Sequence, residues 1–430
     1  MKLYHEVAKG GFQPCKAWPR RKKEFLKFLD RNSAKENVSY GEILQSFCIF
    51  PHNNAIARCH STSSTSINAN QENRPIKSQT KKTANKKTAN KKTLTFPYFV
   101  LSCELGGMPS PLICLYEGEF PVIGSIESLR EEAKAHGMRR LAVACAQEDH
   151  VLLAVEKTRC LGIAEAVLVG KETQIRRIAV ENGIDPINYR IIDEPDNAIA
   201  CRTAVSLVRN GEADAVMKGI VDTSIILKAV LDREVGLRDS KLLSHVALFE
   251  IPGFERLLFL TDSAMNIAPD LEAKKDIIRN AVSVANAVGN ENPVVACLCA
   301  IEKVNPKMPA TIDAAALVEA ARNGELTNCT VIGPVALDNA ISIEAARLKG
   351  VADPNAGRAD VLLVPNIETG NVFYKTLVFL AHASVAGIVV GAKAPVIVTS
   401  RADSEQTKIN SIALALALAA KKGEARERTQ

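Results

Sequence analysis

From about residue 125 onward, short runs of Val, Ala, Ile and Leu alternate with amphipathic stretches of ten to twenty residues, and this alternation limits the fold more than any other feature of the chain. The runs "RRLAVACA", "AEAVLVG", "ADAVMKG", "LLSHVALFE", "RLLFLTD", "VVACLCA", "CTVIGPV", "ADVLLVPN", "AGIVVG" and "APVIVTS" are apolar at nearly every position. Strands that are apolar on both faces belong to parallel sheets covered by helices on both sides. Segments such as "EDHVLLAVEKTRCLG" and "DNAIACRTAVSLVRNG" carry the 3.6-residue period and stop at Gly, as crossover helices do. The expectation is an α/β protein with enough strands for two α/β/α domains and mostly parallel sheets. One step breaks the rhythm. "LLSHVALFE" and "RLLFLTD" follow each other across "IPGFE", where Pro252 and Gly253 mark a turn, so an antiparallel hairpin and a partly mixed sheet are expected there.

The first hundred residues share none of this pattern. They hold 19 Lys and Arg against 6 Asp and Glu, whereas the remainder holds 35 against 42. The stretch "STSSTSINANQENRPIKSQTKKTANKKTANKKT" repeats KKTAN and has almost nothing to bury, so residues 1–107 read as a low-complexity basic extension, disordered, with Met108 as an alternative start. The positive charge therefore sits outside the patterned region, and nucleic acid is not an expected partner of the core. No apolar run reaches the roughly 18 residues of a membrane span, and no cleavable secretory signal is evident. Eleven cysteines are scattered without a CxxC pair. Cys297 and Cys299 are the nearest two, on one face of a strand with no third ligand, so no metal site is expected and the thiols fit a reducing, cytoplasmic compartment.

Open α/β sheets bind ligands at the carboxyl ends of their strands. Those ends are polar here: Lys218 and Gly219 after "DAVM", Thr261, Asp262 and Ser263 after "LFL", Asn366, Glu368, Thr369, Gly370 and Asn371 after "LLVP", and Thr399, Ser400 and Arg401 after "VIV". Neither G-x-G-x-x-G nor G-x-x-x-x-G-K-[ST] occurs, which weakens hydride transfer and Walker-type phosphoryl transfer. After Ser400 and Arg401, "ADSEQ" offers Asp403 as an N-cap with Gln406 three residues on, opening a helix through "INSIALALALAAKK". A helix N-terminus beside a guanidinium favours an anion.

"PNIETGNVFYK", "TDSAMNIAP", "MKGIVDTSIILKAVL" and "VTSRADS", taken together and in this order, resemble the phosphate acetyltransferase and phosphate butyryltransferase family over roughly residues 125 to 425. The resemblance implies two α/β domains around a cleft, residues 125–260 with 395–430 forming the first and 261–394 the second, and commonly a homodimer. It also implies reversible acyl transfer between coenzyme A and inorganic phosphate, both of them substrates, with no tightly bound cofactor. The family's functional Ser-Arg pair matches Ser400 and Arg401. A carboxylate that acetyl-transferring members carry further along the loop falls near Thr407, where this chain departs from the pattern. The spelling "SRADS", rather than the "SRGCS" type, favours the butyryl branch. Arg401 is expected to hold phosphate together with the N–H groups opening the last helix, and Ser400 to hydrogen-bond the thiol or the developing oxyanion. Lys218, Asp262, Asn266, Glu368, Gly370, Asn371 and Asp403 are the expected substrate-binding residues. Rival readings are an acetyl-specific enzyme, a non-catalytic member and a related two-domain dehydrogenase.

Overall fold

The computed structural model describes residues 101–105, 108–112, 123–240, 242–400 and 402–427. The expected extension therefore lies outside the described residues, save for strand β1 (Leu101–Leu105), which pairs antiparallel with β2 (Met108–Leu112). This hairpin belongs to a unit of its own, Met1–Gly118, distinct from Glu119–Gln430.

In the second unit the elements run α1 (Ile126–Ala135), β3 (Arg139–Ala144), α2 (Asp149–Cys160), β4 (Ala164–Gly170), α3 (Glu172–Glu181), β5 (Arg190–Asp193), α4 (Asn197–Arg209), β6 (Ala215–Lys218) and α5 (Thr223–Val230). There follow β7 (Ser244–Glu250), β8 (Leu258–Thr261), α6 (Leu271–Ala287), β9 (Val294–Leu298), α7 (Pro309–Arg322), β10 (Thr330–Val335), α8 (Leu337–Ile341), α9 (Ile343–Leu348), β11 (Val361–Leu363) and α10 (Ile367–Phe379). The chain closes with β12 (Ser384–Val390), β13 (Val396–Ile397) and α11 (Glu405–Glu427). All ten apolar runs contain a strand. A further strand, β5, comes from the polar "RIID" at a sheet edge.

The eleven strands form one sheet in the order β10-β9-β11-β8-β7-β12-β13-β6-β3-β4-β5. β10, β9, β11 and β8 are mutually parallel, and so are β13, β6, β3, β4 and β5. Between these blocks every pairing is antiparallel: β8 with β7, β7 with β12, and β12 with β13. The expected β7–β8 hairpin is present. Three successive reversals also make the two parallel blocks run in opposite senses.

One sheet face carries a continuous core in which Val246, Leu248, Ala386 and Ile388 pack with Ile412, Leu414, Leu416 and Leu418 of α11. The "SIALALALAA" stretch is rich in the best helix formers and buried on every side. The other face is divided. Ala247, Phe249 and Val385 pack with Tyr374 and Leu377 of α10 in one cluster. Val216, Val389 and Val396 pack with Ala204, Val205 and Ile226 of α4 and α5 in another. Period-two alternation places His245 and Gly387 on this same face, between the two clusters.

Candidate active site

Where the two clusters part, the side chain on β7 is a histidine. His245 is buried, its Nδ1 lies 3.0 Å from Ser263 Oγ, and its carbonyl accepts the Thr261 hydroxyl at 2.9 Å. The ring meets Tyr374 edge to face at a centroid distance of 6.0 Å, and Tyr374 meets Phe249 in the same manner at 5.4 Å. The imidazole's other edge lies over β12 at Gly387. A Cβ there would stand 3.0 Å from His245 Nε2 and 3.5 Å from Cε1, with no other atom within 4 Å. Burial lowers the His245 pKa below the ordinary histidine value, while the nearby Asp262 and Asp403 carboxylates pull it back up. Burial raises the Tyr374 phenol, with Asp403 adding to the rise.

The segment after β8 is held by its own side chains. Asp262 is buried, and its Oδ1 accepts the N–H groups of Ala264 and Met265, both at 2.9 Å. Its Oδ2 accepts from the Asn266 amide at 2.6 Å, and that amide also donates to the Leu243 carbonyl at 2.9 Å. Asp262 and Asn266 thus shape the loop that carries Ser263. Gly370 serves the same loop from α10: an added Cβ would fall 2.5 Å from the Asp262 carbonyl oxygen and 2.8 Å from Ser263 Cα. Glu368 and Asn371 lie exposed in the first turns of α10, whose N-cap Asn366 accepts the Thr369 N–H at 3.0 Å.

The segment from β13 to α11 is a tight turn. The Ser400 N–H donates to Asp403 Oδ2 at 2.7 Å, the Asp403 N–H donates to the Ser400 carbonyl at 3.1 Å, and Ser400 Oγ accepts the Ala402 N–H at 3.2 Å. As an acceptor in that bond, the exposed Ser400 hydroxyl keeps its own proton for donation outward. Arg401 lies outside the described residues. The expected Asp403 N-cap is corrected: Ser404 caps α11, its Oγ accepting the Thr407 N–H at 3.1 Å, and the Thr407 hydroxyl lies 3.0 Å from the same oxygen. Asp403 is committed to the Ser400 backbone instead, since the helix begins at Glu405, one residue later than a cap at 403 requires. Buried Lys408 secures the turn by donating to the Asp403 carbonyl at 2.7 Å.

Lys218 ends β6 in the other parallel block, buried, with Nζ hydrogen-bonded to the carbonyls of Gly219 at 3.1 Å and Val221 at 3.2 Å. Of the expected site residues, then, Asp262, Asn266 and Gly370 assemble around Ser263. Ser400 and Asp403 form the turn before α11, and Asp403 is near enough to act on both His245 and Tyr374. His245, Ser263 and Tyr374 were not among the expected substrate-binding residues. The available signal for His245 was a single imidazole inside the otherwise apolar run "LLSHVALFE", a pattern that usually marks a satisfied core histidine.

Residues 197–416 match the family described as phosphate acetyl/butaryl transferase. A phosphate butyryltransferase of Clostridium acetobutylicum is 50% identical over 301 residues, covering 70% of this chain and 100% of that protein. A phosphate acetyltransferase of Thermotoga maritima is 47% identical over 294 residues, covering 68% of this chain and 99% of that protein. A crystal structure of a branched-chain phosphotransacylase from Enterococcus faecalis superposes with a TM-score of 0.59 at 35% identity, covering 66% of this chain and 99% of that chain.

Proposed function

The chain belongs to the phosphate acetyl/butyryl transferase family and is an acyltransferase, and from that premise we propose that it moves butyryl or a similar short acyl group reversibly between coenzyme A and inorganic phosphate. The observation that carries this reading is the 50% identity over the whole length of a relative named phosphate butyryltransferase. A relative named for acetyl transfer is nearly as similar, at 47%, so the preference for butyryl rests on the wording of the Ser400 turn, "SRADS".

Acyl transfer between a thiol and phosphate requires no protein nucleophile, and its rate comes from positioning and electrostatics. Arg401 grips the phosphate, whose oxygens suit a bidentate guanidinium. Ser400, at the tip of a turn pinned by Asp403, donates its hydroxyl proton to the thiol or the oxyanion. The loop after β8, shaped by Asp262 and Asn266, and the exposed opening of α10 with Glu368 and Asn371 form one wall, and Lys218 stands at the end of β6. The enzyme needs no tightly bound cofactor on this reading, and it works as a cytoplasmic homodimer.

Thiol release from butyryl-coenzyme A, measured with and without phosphate, tests the assignment. Phosphate-dependent release is expected, with butyryl- or isobutyryl-coenzyme A ahead of acetyl-coenzyme A in kcat/KM. The margin is modest, since each methylene in an apolar pocket contributes about 1–3 kcal/mol of discrimination. A clear acetyl preference would reassign the acyl group, and no phosphate-dependent release would remove the activity.

A further inference from the structure

Transfer to coenzyme A starts with loss of the thiol proton, because the thiolate is the nucleophile and a free thiol has a pKa of about 8.5. Of the two carboxylates that act on His245, Asp403 is tied to the Ser400 turn and Asp262 to its own loop. Asp403 Oδ2 accepts the Ser400 N–H, and both oxygens of Asp262 accept hydrogen bonds within its own loop. Thr407 supplies no acid or base, and its hydroxyl rests against Ser404. His245 differs: its Nδ1 is engaged by Ser263 at 3.0 Å, while Nε2 points over the one bare position of the facing strand, Gly387.

We propose that His245 is the base that takes the coenzyme A thiol proton through Nε2, with Ser263 holding Nδ1 and thereby fixing the tautomer. The proposal rests on the acyl-transfer reading and names a proton acceptor within it. In the direction of thioester formation the S–H bond breaks and the proton moves to Nε2. The sulfur pair attacks the acyl phosphate carbonyl, the C–S bond forms, the bond from carbon to the phosphate oxygen breaks with its electron pair leaving on phosphate, and Nε2 passes its proton to the departing phosphate and returns to neutral. In the reverse direction a phosphate oxygen attacks the thioester carbonyl as its O–H proton passes to Nε2, the C–O bond forms, the C–S bond breaks, and the leaving sulfur takes that proton from Nε2.

When Ser263 Oγ accepts from Nδ1–H, Nε2 carries a lone pair and is an acceptor. Burial keeps the resting imidazole neutral near pH 7 and so ready to accept. The charged and titratable groups facing it are Asp262 from the loop after β8, Asp403 from the turn before α11, and Tyr374 from α10. The two carboxylates favour the imidazolium once it forms. β12 presents Gly387, which has no side chain to block Nε2.

The test uses the full chain, butyryl phosphate and coenzyme A, with kcat/KM measured from pH 5 to pH 9. The wild type is expected to lose rate on the acid side as His245 protonates, with the midpoint below the ordinary histidine value of about 6.5. His245→Asn keeps a donor for Ser263 but no base, so kcat/KM at pH 7 should fall by roughly 10²–10⁴. The histidine limb should vanish, the rate instead climbing with pH toward the pKa of the coenzyme A thiol, and added imidazole should restore part of it. Gly387→Ala, which presses a Cβ against Nε2, should reproduce the loss without unfolding the protein, and it serves should His245→Asn fail to fold. A wild type inactive with both butyryl and acetyl substrates would overturn the acyl-transfer reading and this proposal with it. An active wild type whose profile and rate are unchanged in His245→Asn, or in Gly387→Ala where the former does not fold, would overturn this proposal alone.

Discussion

Ser400 and Arg401 are neighbours in sequence to which we assign separate duties as a proposal, and kinetics can tell them apart. If Arg401 holds phosphate in the ground state as well as in the transition state, Arg401→Gln raises KM for phosphate strongly and lowers kcat where the guanidinium also meets developing charge. Lysine restores only part, because a point charge lacks the bidentate fork. Ser400→Ala lowers kcat by roughly 10²–10³ with KM for phosphate nearly unchanged, as expected for a donor used while charge develops. Steady-state kinetics on both purified variants check this, and wild-type rates in both would show the pair to be a turn and nothing more. A strand followed by a hydroxyl, a guanidinium and a helix singled out this pair in the sequence, and the structure shows Ser400 in the turn that opens α11. Asp403 was legible as a polar residue of that turn but not in its role, because Asp, Ser and Thr all cap helices and the choice between 403 and 404 depends on where the last strand ends. His245 was hidden for a different reason: what separates a structural histidine from a working one is the neighbour across the sheet, and Gly387 lies 142 positions away.

Among the elements, strands that are apolar on both faces could be read directly, and β5 could not. It lies at the sheet edge, where Arg190 and Asp193 face solvent and no second strand demands apolar residues. Antiparallel pairing was legible only where a turn was: "IPGFE" revealed the β7–β8 reversal, whereas nothing in "AGIVVG" says that β12 runs against both its neighbours. "APVIVTS" reads as a full strand yet contributes only Val396–Ile397, since the chain leaves the sheet to build the Ser400 turn. α10 shows how an element is placed by a missing side chain. Gly370 lets the helix settle on the backbone at Asp262 and Ser263, so Gly370→Ala should push the first turn of α10 away from that loop. Overpacking of this kind costs about 1–3 kcal/mol. A lowered melting temperature together with a lowered kcat/KM is expected, and an unchanged melting temperature with full activity would show that the contact is slack.

For the whole molecule, 301 aligned residues span all of the C. acetobutylicum relative but only 70% of this chain. A chain beginning at Met108 is therefore expected to fold and to keep nearly all activity, because composition before that point cannot support a core. Insoluble or inactive protein beside an active full-length control would refute this. The division into two domains proposed from the sequence places one boundary at residue 394, between β12 and β13, and these strands meet at a single paired position, Val389 with Val396. That narrow join has a mechanical consequence. Each parallel block resists shear through several ladders of hydrogen bonds, while the join between them offers little torsional stiffness of its own. What stiffens it is α11, lying across β12, β13 and β6 and anchored where Ser411 receives the Gly387 N–H at 2.9 Å.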